Sequence, residues 1–299
     1  MTAVLESSGL AKSYGRRQAL TDCTLSVPAG RVTGLVGPNG AGKTTLLSLA
    51  VGLLAPTSGT ITVLGGRPAS GPGQLAKVGF VAQDAPVYAG LSVADHLRLG
   101  AHMNPGWDSE LANRRISQLG LDPGQKAGKL SGGQRAQLAL TVAIAKRPQL
   151  LILDEPIASL DPLARREFLQ SLMEFTAEHE VSVVMSSHLV SDLERVCDHL
   201  IVLVASRVQV AGDVDDLLAT HSQLIGPRSH EADLPRDWRV ISASHTDRQS
   251  TLLVRTSAPI DDPNWEVDKI GLEDLVLAYL SQANRPTGSN TRSVLEARR

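Results

Sequence analysis

Two hydrophobic periods alternate along the chain: short runs of β-branched and aliphatic residues, and longer stretches in which apolar residues return every three or four positions. Strands are expected at 4–6, 23–27 and 31–36, the last running straight into a glycine cluster at Gly37. Beyond it Leu46, Leu47, Ala50, Val51 and Leu54 share one helical face, and Pro56 and Gly59 end that segment. Residues 60–64 and 78–82 read as two further strands, after which the pattern past Gln83 turns helical, with Ser92 and Asp95 in capping-box spacing. A second helix is predicted from Asp108, with Ala112, Ile116 and Leu119 on one side and Gly120 and Pro123 stopping it, so a helical insertion spans about 84–130.

A helix from Gly132 to Pro148 leads into 150–153, a continuous apolar run of the kind found in buried central strands. A helix over 163–175, a strand over 181–186 and a hairpin at 201–204 and 208–210 close an α/β domain at about residue 220. The remainder, 221–283, offers strands at 239–244 and 251–256 and a helix at 272–280, a small α+β unit in which Trp238 and Trp265 are expected to pack. The polar tail, 284–299, is expected to fray.

Composition narrows the function. With 299 residues, 42% of them apolar, the chain can bury one large core and a smaller one. A net charge of -2 and a pI near 6.4 give no bulk attraction to nucleic acid or to an anionic membrane surface. Cys23 and Cys197 stand far apart and outside any ligand spacing, which fits a reducing compartment and argues against a zinc site. No secretory signal precedes the domain, and no apolar run approaches the roughly 20 residues needed to cross a bilayer.

Gly37-Pro38-Asn39-Gly40-Ala41-Gly42-Lys43-Thr44 matches the phosphate-binding pattern G-x-x-x-x-G-K-[ST]. Its glycines let successive N–H groups turn inward on phosphates, and the helix that follows adds the positive end of its dipole. Lys43 is expected to reach the β and γ phosphates; Thr44, with Thr45 beside it, offers a hydroxyl to magnesium. Asp154 and Glu155 follow the apolar run, where open α/β sheets place their ligand groups. An isolated pair of this kind could as well face solvent; with the P-loop upstream, Asp154 reads as a second metal anchor and Glu155, facing the other way along the strand, as the group meeting an attacking water. His188, after the strand at 181–186, can reach a γ phosphate from the same sheet edge.

Leu130-Ser131-Gly132-Gly133-Gln134 is the pentapeptide that makes the chain resemble ATP-binding cassette proteins. The series Tyr14, 37–44, Gln83, 130–134, Asp154-Glu155, Ser159-Leu160-Asp161 and His188 follows that family's motif order over most of the chain. The resemblance implies a P-loop NTPase of RecA-like α/β fold carrying an antiparallel β subdomain, and hydrolysis of ATP with Mg2+. It further implies that Tyr14 stacks on adenine and that Gln83 touches the metal or the attacking water. Ser131, Gly132, Gly133 and Gln134 would cover the ATP held by a second copy, with Asp161 at the interface of that head-to-tail pair.

A separate transmembrane permease, met through the insertion, would be the other partner, placing the chain at the cytoplasmic face of a membrane it does not span, with no nucleic acid partner. Pro156-Ile157-Ala158 departs from the family where relatives carry Thr or Ser after the proline, which bears on loop packing and not on chemistry. The stretch 104–108 and the extension with Leu272-Glu273-Asp274-Leu275 resemble bacterial exporter-type cassettes. A soluble cassette ATPase outside transport is the alternative, although neither a second cassette nor a long coiled coil is present in the sequence.

Overall fold

The computed structural model describes residues 2–83, 86–228 and 234–283, in two compact units divided after Leu217. The tail at 284–299 lies outside the described residues. In the first unit, β1 (Ala3–Tyr14) pairs antiparallel with β2 (Arg17–Pro28) and β4 (Ser58–Val63) in a three-stranded sheet. A six-stranded sheet has the order β5-β6-β7-β3-β8-β9, built from β3 (Val32–Val36), β5 (Val78–Val81), β6 (Leu150–Leu153), β7 (Ser182–Ser187), β8 (His199–Val204) and β9 (Arg207–Asp213). All its neighbours are parallel except β8 and β9. Strands β6, β7 and β8 are buried along their whole length, as expected of a parallel sheet covered on both faces.

Helix α1 (Lys43–Ala50) lies between these sheets: Leu46, Leu47 and Leu49 share one core with Leu5, Leu20 and Val63 of the antiparallel sheet and with Ile152, Val184 and Leu203 of the parallel one. That packing fixes the position of the helix start and so of the loop before it. The helix is shorter than its apolar face. It stops at Ala50 because Gly52 turns left-handed (φ 76°), yet Val51 and Leu54 still pack on the core. A short helix with no buried residue, α2 (Pro72–Lys77), follows.

The insertion holds α3 (Val93–Met103) and α4 (Ser109–Gln118), packed with α5 (Gly132–Ala145) around Val93, Ile116, Leu130 and Leu138. Both of its helix starts are capped by side chains, the first as the sequence predicts. Ser92 and Asp95 form a reciprocal capping box, and Asp108 accepts the Leu111 N–H at 2.8 Å. The first unit ends through α6 (Pro162–His179), α7 (Val190–Leu193) and α8 (Val214–Ala219).

The second unit is a four-stranded antiparallel sheet of order β11-β12-β10-β13, formed by β10 (His221–Pro227), β11 (Arg239–His245), β12 (Gln249–Arg255) and β13 (Glu266–Lys269), with helix α9 (Leu272–Ala283). Trp238 and Trp265 meet edge to face, with ring centroids 5.9 Å apart, in its apolar cluster. The His221 and Tyr279 side chains form a buried hydrogen bond of 2.9 Å between β10 and α9.

Candidate functional site

Residues 37–42 leave the end of β3 and enter α1 through two left-handed glycines, Gly40 (φ 81°) and Gly42 (φ 111°). Space demands glycine as strictly as conformation does. A Cβ on Gly37 would stand 2.1 Å from the Leu203 carbonyl oxygen, and one on Gly42 2.4 Å from that of Ala19. Lys43, the first residue of α1, is buried, and its ammonium donates to the Gly37 carbonyl at 2.7 Å and pairs with Glu155 Oε1 at 3.0 Å.

Glu155 is reached by a backbone turn and not by strand alternation. β6 ends at Leu153, and Glu155 takes a left-handed conformation (φ 46°), a costly one for a side chain with a Cβ. Ser186, at the end of neighbouring β7, braces it: the Ser186 hydroxyl accepts the Glu155 N–H at 2.8 Å and donates to Asp154 Oδ1 at 2.7 Å. The second Glu155 oxygen meets His188 Nδ1 at 2.9 Å. A carboxylate can only accept, so Nδ1 carries the proton and Nε2 is left for another partner. Burial raises the Glu155 carboxyl, but the hydrogen bond and charge of Lys43, followed by those of His188, outweigh it and hold the group below its ordinary value.

A cleft of about 550 Å3 opens over this row. Of the residues expected from the sequence, Tyr14, Asn39, Gly40, Gly42, Lys43, Thr44, Thr45, Gln83, Glu155 and His188 line it together. Gly37 and Pro38 turn their carbonyls toward Lys43, Ala41 is buried behind the loop, and Asp154 is buried against Ser186. Ser131, Gly132, Gly133 and Gln134 do not line this cleft. Ser131 and Gln134 are exposed and cap α5 reciprocally. Asp161 caps α6, accepting the Leu163 and Ala164 N–H groups at 3.0 Å.

Three contributors escape a motif-by-motif reading: Ser186, Arg17 and Lys12. Arg17 lines the cleft beside Tyr14, and Lys12 places its ammonium 5.4 Å from the Tyr14 ring centre. A polar residue closing an apolar strand next to the acid pair was the available signal for Ser186; the pairing that brings Arg17 to Tyr14 has none.

The profile of the ABC transporter family matches residues 20–158. The thiamine import ATP-binding protein ThiQ of Salmonella typhimurium is 35% identical over 217 residues, covering 69% of this chain and 92% of its own. The molybdenum import ATP-binding protein ModC of Rhodobacter capsulatus is 35% identical over 233 residues, 75% of this chain and 63% of that protein. A solved structure of an ATP binding subunit of an ABC transporter superimposes with a TM-score of 0.64 at 30% identity, over 72% of this chain and 92% of that one.

The likeness to exporter-type cassettes expected from the sequence is overturned by these relatives, both of which carry import in their names. The residues behind that expectation have scaffold roles instead. Asn104 hydrogen-bonds the Gly100 carbonyl at 2.8 Å, Trp107 packs against Gly100, Asp108 caps α4, and Leu272 and Leu275 are buried in their own unit. Side chains occupied in this way say nothing about the direction of transport. The P-loop, the acid pair and the likeness across nearly the full length of an import ATP-binding protein agree: the chain belongs to the ABC transporter family, as an ATP-binding and ATP-hydrolysing subunit.

Proposed function

We propose that two copies of this chain, paired head to tail, bind and hydrolyse two ATP molecules between them and so drive a separate permease at the cytoplasmic face of a membrane. The row Lys43–Glu155–His188 along one cleft carries the catalytic half of this reading. Lys43 would exchange Glu155 for β and γ phosphate oxygens, leaving the Glu155 carboxylate free to orient a water and take its proton. His188 Nε2 would hold the γ phosphate, and Tyr14 would stack on the base.

Magnesium fits the residues at hand. Thr44, Gln83 and Asp154 offer a hydroxyl, an amide oxygen and a carboxylate, all hard oxygen donors, and such an ion completes its shell with water and phosphate. Bound there, it would neutralise charge on the phosphate oxygens. Ser131–Gln134 support the pairing: an exposed helix start with two glycines that does not line the chain's own cleft can receive a phosphate presented by another molecule.

Among the described residues no helix is long and apolar enough to cross a membrane. A second groove, of about 660 Å3, runs between the central sheet and the insertion just past Gln83 and is lined by Leu53, Leu75, Phe80, Tyr88, Leu99 and Met103. Leu53 is 68% exposed and Met103 71%, an apolar surface suited to a permease segment. The double substitution Leu53→Asp, Met103→Glu is expected to abolish copurification with membrane protein from the native host while leaving Mg-ATP binding within about twofold of wild type. Retained copurification would remove the groove from this role, and absence of ATP turnover in the wild type would remove the function.

A further inference from the structure

Arg17 is the cation this cleft holds in reserve. Tyr14 and Arg17 are directly paired residues across the β1–β2 turn, so their side chains leave the same face of the hairpin. Both line the nucleotide cleft. The Arg17 guanidinium hangs over the apex of the P-loop: a Cβ on Gly40 would stand 3.5 Å from its Nη2.

Among the described residues nothing engages it. Arg31, Arg98, Arg114, Arg147 and Arg165 each pair with a carboxylate, whereas among the described residues no carboxylate lies within ion-pair distance of Arg17 and its side chain makes no hydrogen bond. Lys43, the other cation of the cleft, is already occupied by Glu155 and the Gly37 carbonyl. A planar guanidinium fork without a partner, set between an aromatic ring and a phosphate-binding loop, matches a phosphate oxygen in charge and geometry.

We propose that Arg17 binds the phosphate chain of the nucleotide as a second cation besides Lys43, so that its share of the affinity goes to phosphate and not to the base. The inference rests on the nucleotide reading of the cleft and deepens it. Calorimetric titration of the full chain with Mg-ATP, Mg-ADP and adenosine tests it, using wild type, Arg17→Ala and Arg17→Lys. Arg17→Ala is expected to weaken Mg-ATP and Mg-ADP roughly tenfold and adenosine not at all, with Arg17→Lys in between and the difference shrinking as salt rises.

Equal affinities in wild type and Arg17→Ala would overturn the proposal, as would a proportional loss of adenosine, which would assign Arg17 to support of Tyr14. A wild type that binds no Mg-ATP would instead fail the nucleotide reading itself. Arg17 is exposed, so an unchanged melting temperature in Arg17→Ala separates the contact from any effect on folding.

Discussion

Glu155→Gln is expected to bind Mg-ATP within about threefold of wild type yet hydrolyse it on the order of 100- to 10,000-fold more slowly, the range a positioned general base supplies. The substitution keeps the shape of the side chain and one oxygen for Lys43, 3.0 Å away. It removes the carboxylate that could accept a proton and that fixes the His188 tautomer through its 2.9 Å contact. Single-turnover hydrolysis of radiolabelled ATP separates the two effects, and near-normal turnover would take Glu155 out of the chemistry. The backbone N–H of Glu155 still bonds Ser186 in the variant, so its left-handed turn should persist.

Lys43→Ala is expected to cost about 100-fold in affinity for Mg-ATP, equivalent to about 3 kcal/mol, because one charge-assisted contact to the phosphates is lost. Equilibrium binding of a fluorescent ATP analogue measures it, and wild-type affinity would contradict the role given to this lysine. A pH effect accompanies the loss. With Lys43 in place the folded Glu155 carboxyl titrates below its unfolded value, so the pair stabilises the fold above the unfolded pKa, and that contribution disappears as pH falls through the folded one. Without Lys43, burial of Glu155 works against the carboxylate with only His188 opposing it, and the nucleotide-free variant should lose less stability than wild type on acidification.

The parts of the site legible in the sequence are those in which a backbone requirement forces a residue type. Gly37 and Gly42 stand where a Cβ would meet a carbonyl, and Ser92, Asp108 and Ser131 satisfy free N–H groups at helix starts. Strand positions buried on both faces, such as 150–153, were equally plain. The antiparallel strands were not. β1 and β2 each run 12 residues where three and five were expected, because half-solvated strands accept Ser7, Ser8, Lys12 and Asp22, and register shifts break their alternation.

In the second unit, β13 is exposed at every position and shows no period, and β10 is a further strand that the sequence pattern does not predict. The contrast between Asp154 and Glu155 follows from chain direction: the pleat suggested opposed side chains, whereas a left-handed turn held by Ser186 from another strand produces the separation. Ser186 and Arg17 come from tertiary proximity, 31 residues from Glu155 in one case and 23 residues from Gly40 in the other; the polar end of an apolar strand hints at the first, and no local pattern announces the second. Ile157, the departure from the family pattern, is buried where the chain turns after the acids, in keeping with a packing role.

In the proposed pair, one copy's helix start at Ser131 would complete the other copy's phosphate cradle. Sedimentation velocity on the Glu155→Gln protein, with and without saturating Mg-ATP, measures this directly. The expected result is a nucleotide-dependent shift from monomer to dimer that vanishes with Mg-ADP and in the further variant Ser131→Arg. A protein that stays monomeric when saturated with Mg-ATP, or a dimer indifferent to Ser131→Arg, would contradict it.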